Sequence, residues 1–164
     1  MDYVPVAAFV EVIFLAELPF RIDLRPLGGH AGGPTCTLLH GNHVLNTFYM
    51  YEDRPDAMLE KMAGAVGARA GDVVCVGHTH LAWHRVTADG VHVVNAGSVG
   101  RPKDGDPRAG YVLLDLSDEG ARVEIVRVAY DVERAARRIL ASELPDEFAD
   151  FLRSGGRPVV ARSD

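Results

Sequence analysis

The 164-residue sequence predicts a mixed α/β (α+β) domain. Three observations carry that expectation. Short apolar runs recur at 35–39, 72–76 and 91–95, each bounded by glycine or proline, as buried strands are. Two segments, 55–68 and 131–142, carry helical signals. Strand-like runs dominate between residues 72 and 130, so the strands and helices share one domain.

The elements follow in order. Residues 4–16, VPVAAFVEVIFLA, form an apolar lead, and 5–18 fit a helix that stops before Pro19. The lead is too short to span a bilayer and Glu11 interrupts it. With no basic n-region and no small-residue cleavage site, a signal peptide is not expected. FRIDLR at 20–25 alternates apolar and polar, which predicts a strand. A Gly/Pro loop covers 26–34 and contains His30, which has no partner in sequence. TCTLL at 35–39 is a short strand that stops at His40. Residues 41–54 read as loop. Pro55 suits the first turn of a helix and Asp56 its dipole. Ala57, Met58, Met62, Ala65 and Val66 then recur at helical spacing. Residues 72–76 form a buried strand. Residues 82–87 and 91–95 predict a hairpin turning at Asp89-Gly90. Strands at 110–116 and 121–130 are joined by a turn at Asp118, Glu119 and Gly120. Asp131 caps the Arg- and Ala-rich helix. Pro145 opens a last short helix, and a polar tail follows Gly155. There is no internal repeat and no low-complexity tract.

Composition bounds the function. A net charge of −6 gives no basic footprint for nucleic acid and no polybasic membrane patch. Positive charge for a phosphate ligand must then be local, for instance a metal. The two cysteines, Cys36 and Cys75, lie in strand-like apolar runs. They read as buried thiols in a reducing compartment, with a disulfide left open at this level.

The chemistry concentrates in CVGHTH at 75–80. On extended backbone a His-x-His pair points to opposite faces. Just past a strand end, with Gly77 to relax the chain, both rings converge, and Thr79 is placed to orient one of them by hydrogen bonding. Neutral imidazole suits borderline divalent metals. The competing reading is a pair of ordinary histidines. The TCTLL run ends in the same way, at His40-Gly41. Two apolar strands that both deliver histidines at their carboxyl ends are what a metal centre at a sheet edge needs. NAGSVGRP at 95–102 is a tight loop with exposed N–H groups, fit to approach phosphate or to serve as an ordinary turn. Its candidate substrate-binding residues are Asn95, Gly97, Ser98 and Arg101. Lys103 and Arg108 are either phosphate partners or solvated loop. Trp83 is expected to pack over the hairpin rather than stack on a substrate base. Asp104 and Asp106 shape a turn. His84 and His92 are expected to project from the hairpin as partly exposed residues.

These pieces stand in one order: HG at 40–41, YEDRPD at 51–56, then GHTHLAWHRVTADGVHVVNAGSVGRPKDGDPRAGYVLLDL at 77–116. Together they resemble the small bacterial and archaeal branch of the calcineurin-like metallophosphoesterases. The resemblance runs from about Leu18 to Gly155 and covers the family's C-terminal portion. It implies a partial αββα sandwich over 18–155, an atypical lead at 1–17 and a polar tail at 156–164. It implies hydrolysis of a phosphomonoester or phosphodiester by a metal-activated hydroxide. His40 and His78 would then ligate one metal and His80 another.

The family pattern also opens with DxH and GDxxD, and neither occurs in this sequence. Gly41-Asn42-His43 spells a literal GNH, which leaves a second assignment open, with Asn42 as a metal ligand and His43 assisting the leaving group. Three neutral histidines bring no negative charge to two cations that repel at a few ångströms. One divalent ion (Mn, Fe, Zn or Ni) or none is therefore expected where the complete family holds two. Two functions follow: a metal-dependent phosphoesterase, incomplete without those motifs, or a non-catalytic remnant that binds phosphate, a nucleotide or a partner protein. An exposed sheet edge would favour association, including between two copies. Absent targeting signals point to the cytoplasm.

Overall fold

The computed structural model describes residues 16–26, 32–117 and 119–157. Most of the helix expected at 5–18, together with His30 and the tail after 157, lies outside the described residues. The elements run β1 (Arg21–Leu24), β2 (Cys36–Leu39), α1 (Asp56–Val66), β3 (Val73–Val76), β4 (Ala82–Val86), β5 (His92–Ala96), β6 (Ala109–Ser117), β7 (Gly120–Val128), α2 (Val132–Leu140) and α3 (Glu147–Ser154). These follow the sequence expectations to within a few residues at each end.

Five strands form one mixed sheet in the order β1-β2-β3-β5-β4. β2, β3 and β5 lie side by side and parallel, while β1 and β4 are antiparallel edges. The parallel strands are buried on both faces, so their sequences read as continuous apolar runs rather than alternating ones. On one face Leu39, Val74, Val76, Trp83 and Val93 meet Leu59, Met62, Ala63 and Val66 of α1. On the other, Cys36, Val73 and Val94 meet Val112, Leu114, Leu116, Ala121 and Val123 of the β6–β7 hairpin. The layers are therefore helix, sheet and second sheet. This is the mixed α/β class with two facing sheets that the sequence predicts.

The helix α1 differs from expectation in phase. Leu59, Met62, Ala63 and Val66 are buried, while Ala57 and Ala65 face solvent and Met58 is half-buried. Both sets have helical spacing. The sheet takes the stripe with the larger side chains, because burying Leu removes more apolar area from water than burying Ala. Pro55 takes the cap position just before the helix, and Gly67 ends it in the left-handed region at φ 78°.

Asp131 caps α2 as expected, accepting from the Arg134 N–H at 2.8 Å. Arg153 of α3 binds Glu133 of α2 through two hydrogen bonds of 2.8 and 2.9 Å. Gly155 then docks this helix pair onto the loop after β5. Its carbonyl accepts from Gly105 N–H at 2.9 Å, and a Cβ there would sit 2.5 Å from the Gly105–Asp106 backbone. Both cysteines are free thiols. Burial raises them, Cys36 to about 12 and Cys75 to about 11. Among the described residues no helix is long and apolar enough to cross a membrane.

Candidate functional site

The carboxyl ends of β2, β3 and β5 open onto one edge, because these three strands are parallel neighbours. His40 follows β2, His78 and His80 follow β3, and Gly97 and Ser98 follow β5. In open α/β sheets this edge is where ligands bind.

His40 Nε2 and His78 Nδ1 are 3.1 Å apart, with the rings edge-on at 67°. Gly77 N–H donates to His40 O at 2.9 Å, which locks the two strand ends together. His78 and His80 both have left-handed backbone, φ 65° and 62°. The intervening Thr79 is thereby turned inward and is buried. Its hydroxyl lies 3.2 Å from Leu81 N and accepts from Asn95 Nδ2 at 2.9 Å. The expectation that Thr79 orients a histidine ring is corrected here: it anchors the turn instead. His80 Nδ1 lies 2.8 Å from Arg101 O. An N–H given to that carbonyl leaves Nε2 as the ring's lone-pair nitrogen, the arrangement that holds a ligating histidine in one tautomer.

Asn95 is fully buried. Its amide donates to Gly77 O and Thr79 Oγ1, both at 2.9 Å, and its oxygen accepts from Gly97 N–H at 3.0 Å. It ties the end of β5 to the GHTH turn. Ser98 Oγ accepts from Arg101 N–H at 2.9 Å. The Arg101 guanidinium lies over Phe148 and Phe151, 4.8 and 5.2 Å from the ring centres. Asn42 is buried, and its oxygen accepts from the N–H groups of Val44 and Leu45. It closes a tight turn that needs Gly41, where a Cβ would sit 2.4 Å from Leu45 O. His43 Nδ1 is buried without a hydrogen-bond partner among the described residues, as is His78 Nε2. Trp83 is buried in the core on the α1 side of the sheet, its indole N–H donating to Met50 O at 3.3 Å.

Tyr49 is a neighbour that the sequence did not single out. Its ring centre is 4.3 Å from that of His78, and Tyr51 stacks beside it at 5.9 Å. Both lie in an irregular segment without periodicity. The only available signal was the aromatic density of FYMY at 48–51.

Burial lowers the pKa of His40, and the neighbouring charges of His78 and His80 add to the effect. A neutral His40 keeps a lone pair for a ligand. The fit to a metal can be tested on distance. Two imidazole nitrogens at about 2.1 Å from one cation are about 3.0–3.4 Å apart, for right-angle to tetrahedral geometry. The 3.1 Å gap between His40 and His78 meets that requirement for one ion. Among the described residues no group of three or more His, Cys, Asp or Glu is arranged to hold a metal.

One family model matches the chain. The sequence model of the calcineurin-like phosphoesterase superfamily domain matches residues 26–119, more than half of the chain. An uncharacterized protein of Methanocaldococcus jannaschii is 33% identical over 99 residues, covering 52% of this chain and 40% of its own. The crystal structure of a metallophosphoesterase from Sphaerobacter thermophilus superposes with TM-score 0.66 at 22% identity, over 89% of this chain and 61% of that one. A hypothetical protein from Pyrococcus horikoshii gives 0.70 at 23%, over 90% and 54%. At these identities the structural likeness speaks for the fold. The chain spans less than two thirds of the length of each.

Proposed function

We propose, because the chain belongs to the calcineurin-like phosphoesterase superfamily, that it acts on phosphate esters at the carboxyl edge of β2, β3 and β5. Membership supports a phosphoesterase-type function, and the family generally uses divalent metals. The finer reading is metal-dependent hydrolysis with a single cation held by His40 and His78. The observation that carries it is the pair of facing imidazole nitrogens 3.1 Å apart at the joined ends of β2 and β3. A divalent ion there would supply Lewis-acid charge next to the phosphoryl group.

The chain's own residues do the positioning. Asn95 and Thr79 hold the GHTH turn. The Arg101 carbonyl fixes the His80 tautomer. Lys103, exposed and bonded through its N–H to His80 O at 3.2 Å, brings positive charge to a protein that is acidic overall, which suits a phosphate-ester small molecule or a nucleotide.

A second reading is phosphate binding without hydrolysis. It is favoured by the absence from the sequence of the DxH and GDxxD carboxylates that would offset a second cation.

One experiment separates the two readings. Hydrolysis of a chromogenic phosphodiester is measured with and without manganese, alongside manganese and inorganic phosphate binding. Hydrolysis that requires manganese and falls in His78→Ala by at least about tenfold, the loss typical of removing even a residue that only orients a ligand, supports the enzyme. Binding of manganese and phosphate with no turnover supports the second reading. A chain that binds neither overturns both.

A further inference from the structure

The carboxyl edge is not the only place where imidazoles meet. In the β4–β5 pair His84 lies opposite Val94, and His92 lies opposite Val86. The two histidines are thus diagonal neighbours on one sheet face, and diagonal positions lie within reach of ring-sized side chains. The alternation of the strands sends Trp83 and Val93 to the α1 side. His84 and His92 therefore stand on the face toward the β6–β7 hairpin, with Val94. There His84 Nε2 and His92 Nδ1 are 3.1 Å apart, with ring planes within 12° of parallel and centres 5.1 Å apart.

We propose that His84 and His92 form a second chelating site, for a borderline divalent transition-metal ion, independent of the histidines at the carboxyl edge. The nitrogen separation equals that of His40 and His78 and suits two ligands on one cation at about 2.0–2.1 Å. Without metal, one ring donates its N–H to the other. Binding needs the donor ring to adopt its other tautomer and both rings to turn about their Cβ–Cγ bonds until the two lone pairs converge, with no proton lost. Both rings are half-buried, so they are held by the hairpin yet open to water that completes the coordination. Burial keeps both imidazoles easier to deprotonate than usual, which leaves lone pairs free near neutrality. His92 is level with Val73 at the start of β3. His84 lies opposite Val94, which is level with Cys75, and His78 is three residues beyond Cys75, about 10 Å along the strand at roughly 3.3 Å per residue. The two sites therefore do not share an ion. Neutral nitrogen donors select ions late in the Irving–Williams order, so nickel is a suitable probe.

The test is Ni(II) titration of the full, chelator-stripped chain. The His84→Gln, His92→Gln double variant is expected to bind one equivalent less than the unsubstituted protein. Because such a variant can fold poorly, the unsubstituted protein also carries a readout. Substoichiometric Ni(II) is expected to broaden the ring resonances of both His84 and His92. Equal stoichiometry in a folded double variant, or ring resonances of His84 and His92 that stay sharp at Ni(II) saturation, overturns the proposal.

Discussion

His78 and His80 occupy left-handed backbone, φ 65° and 62°, a conformation that costs a side-chain-bearing residue about 1–2 kcal/mol. Glycine adopts it without that cost, so the histidines hold these positions at the expense of stability. His78→Gly is expected to be more stable than His78→Ala by about 1 kcal/mol in urea unfolding, although both lose the imidazole. Asn95 carries the opposite balance. It is fully buried, and its amide satisfies three groups of the adjoining turns. Asn95→Ala takes one partner from Gly77 O and Thr79 Oγ1 and the acceptor from the Gly97 N–H, and is expected to cost about 1–3 kcal/mol, read as a lower urea midpoint.

The elements owe their positions to close backbone approach as well as to burial. Gly155 ends α3 at φ 62° and lies against the Gly105–Asp106 backbone. Gly155→Ala is expected to lose more than about 1 kcal/mol and to loosen the loop that carries Arg101 and Lys103, seen as faster amide exchange there. In α1, Leu59→Ala removes a fully buried side chain and is expected to cost about 2–5 kcal/mol. Ala65→Ser on the solvent face is expected to change the urea midpoint little. That contrast tests which apolar stripe of the helix faces the sheet.

The whole molecule responds to pH through its histidines. His40, His84 and His92 all have folded values below the ordinary 6.5, with burial as the first cause. The unfolded chain therefore binds more protons than the folded one in this window. Stability rises with pH wherever that holds. It is complete above 6.5 and falls as pH drops from there through the lower folded values. Urea midpoints measured across that window are expected to decline on acidification. The decline is expected to be shallower in the His84→Gln, His92→Gln variant. Asp23 and Glu133 are shifted below the ordinary carboxylate values of 3.8 and 4.5 by hydrogen bonds to Thr37 and Arg153. They withdraw stability as pH falls below those ordinary values.

Sequence alone determined the order and kind of the elements. Periodicity, the Asp89-Gly90 turn, the Asp131 cap and the glycine boundaries are local signals, and local physics acts on them before any packing. It also marked His40, His78 and His80 as residues at strand ends. Tertiary structure decided what those residues face. Parallel pairing of β2, β3 and β5 brings His40 next to His78, residues that are far apart along the chain, and the same pairing makes Asn95 the buried tie beneath the turn. The phase of α1 depended on which stripe the sheet could bury. The diagonal meeting of His84 and His92 depended on a register that neither strand encodes by itself. Contacts between residues distant in sequence depend on how strands align, and alignment is set by the whole core.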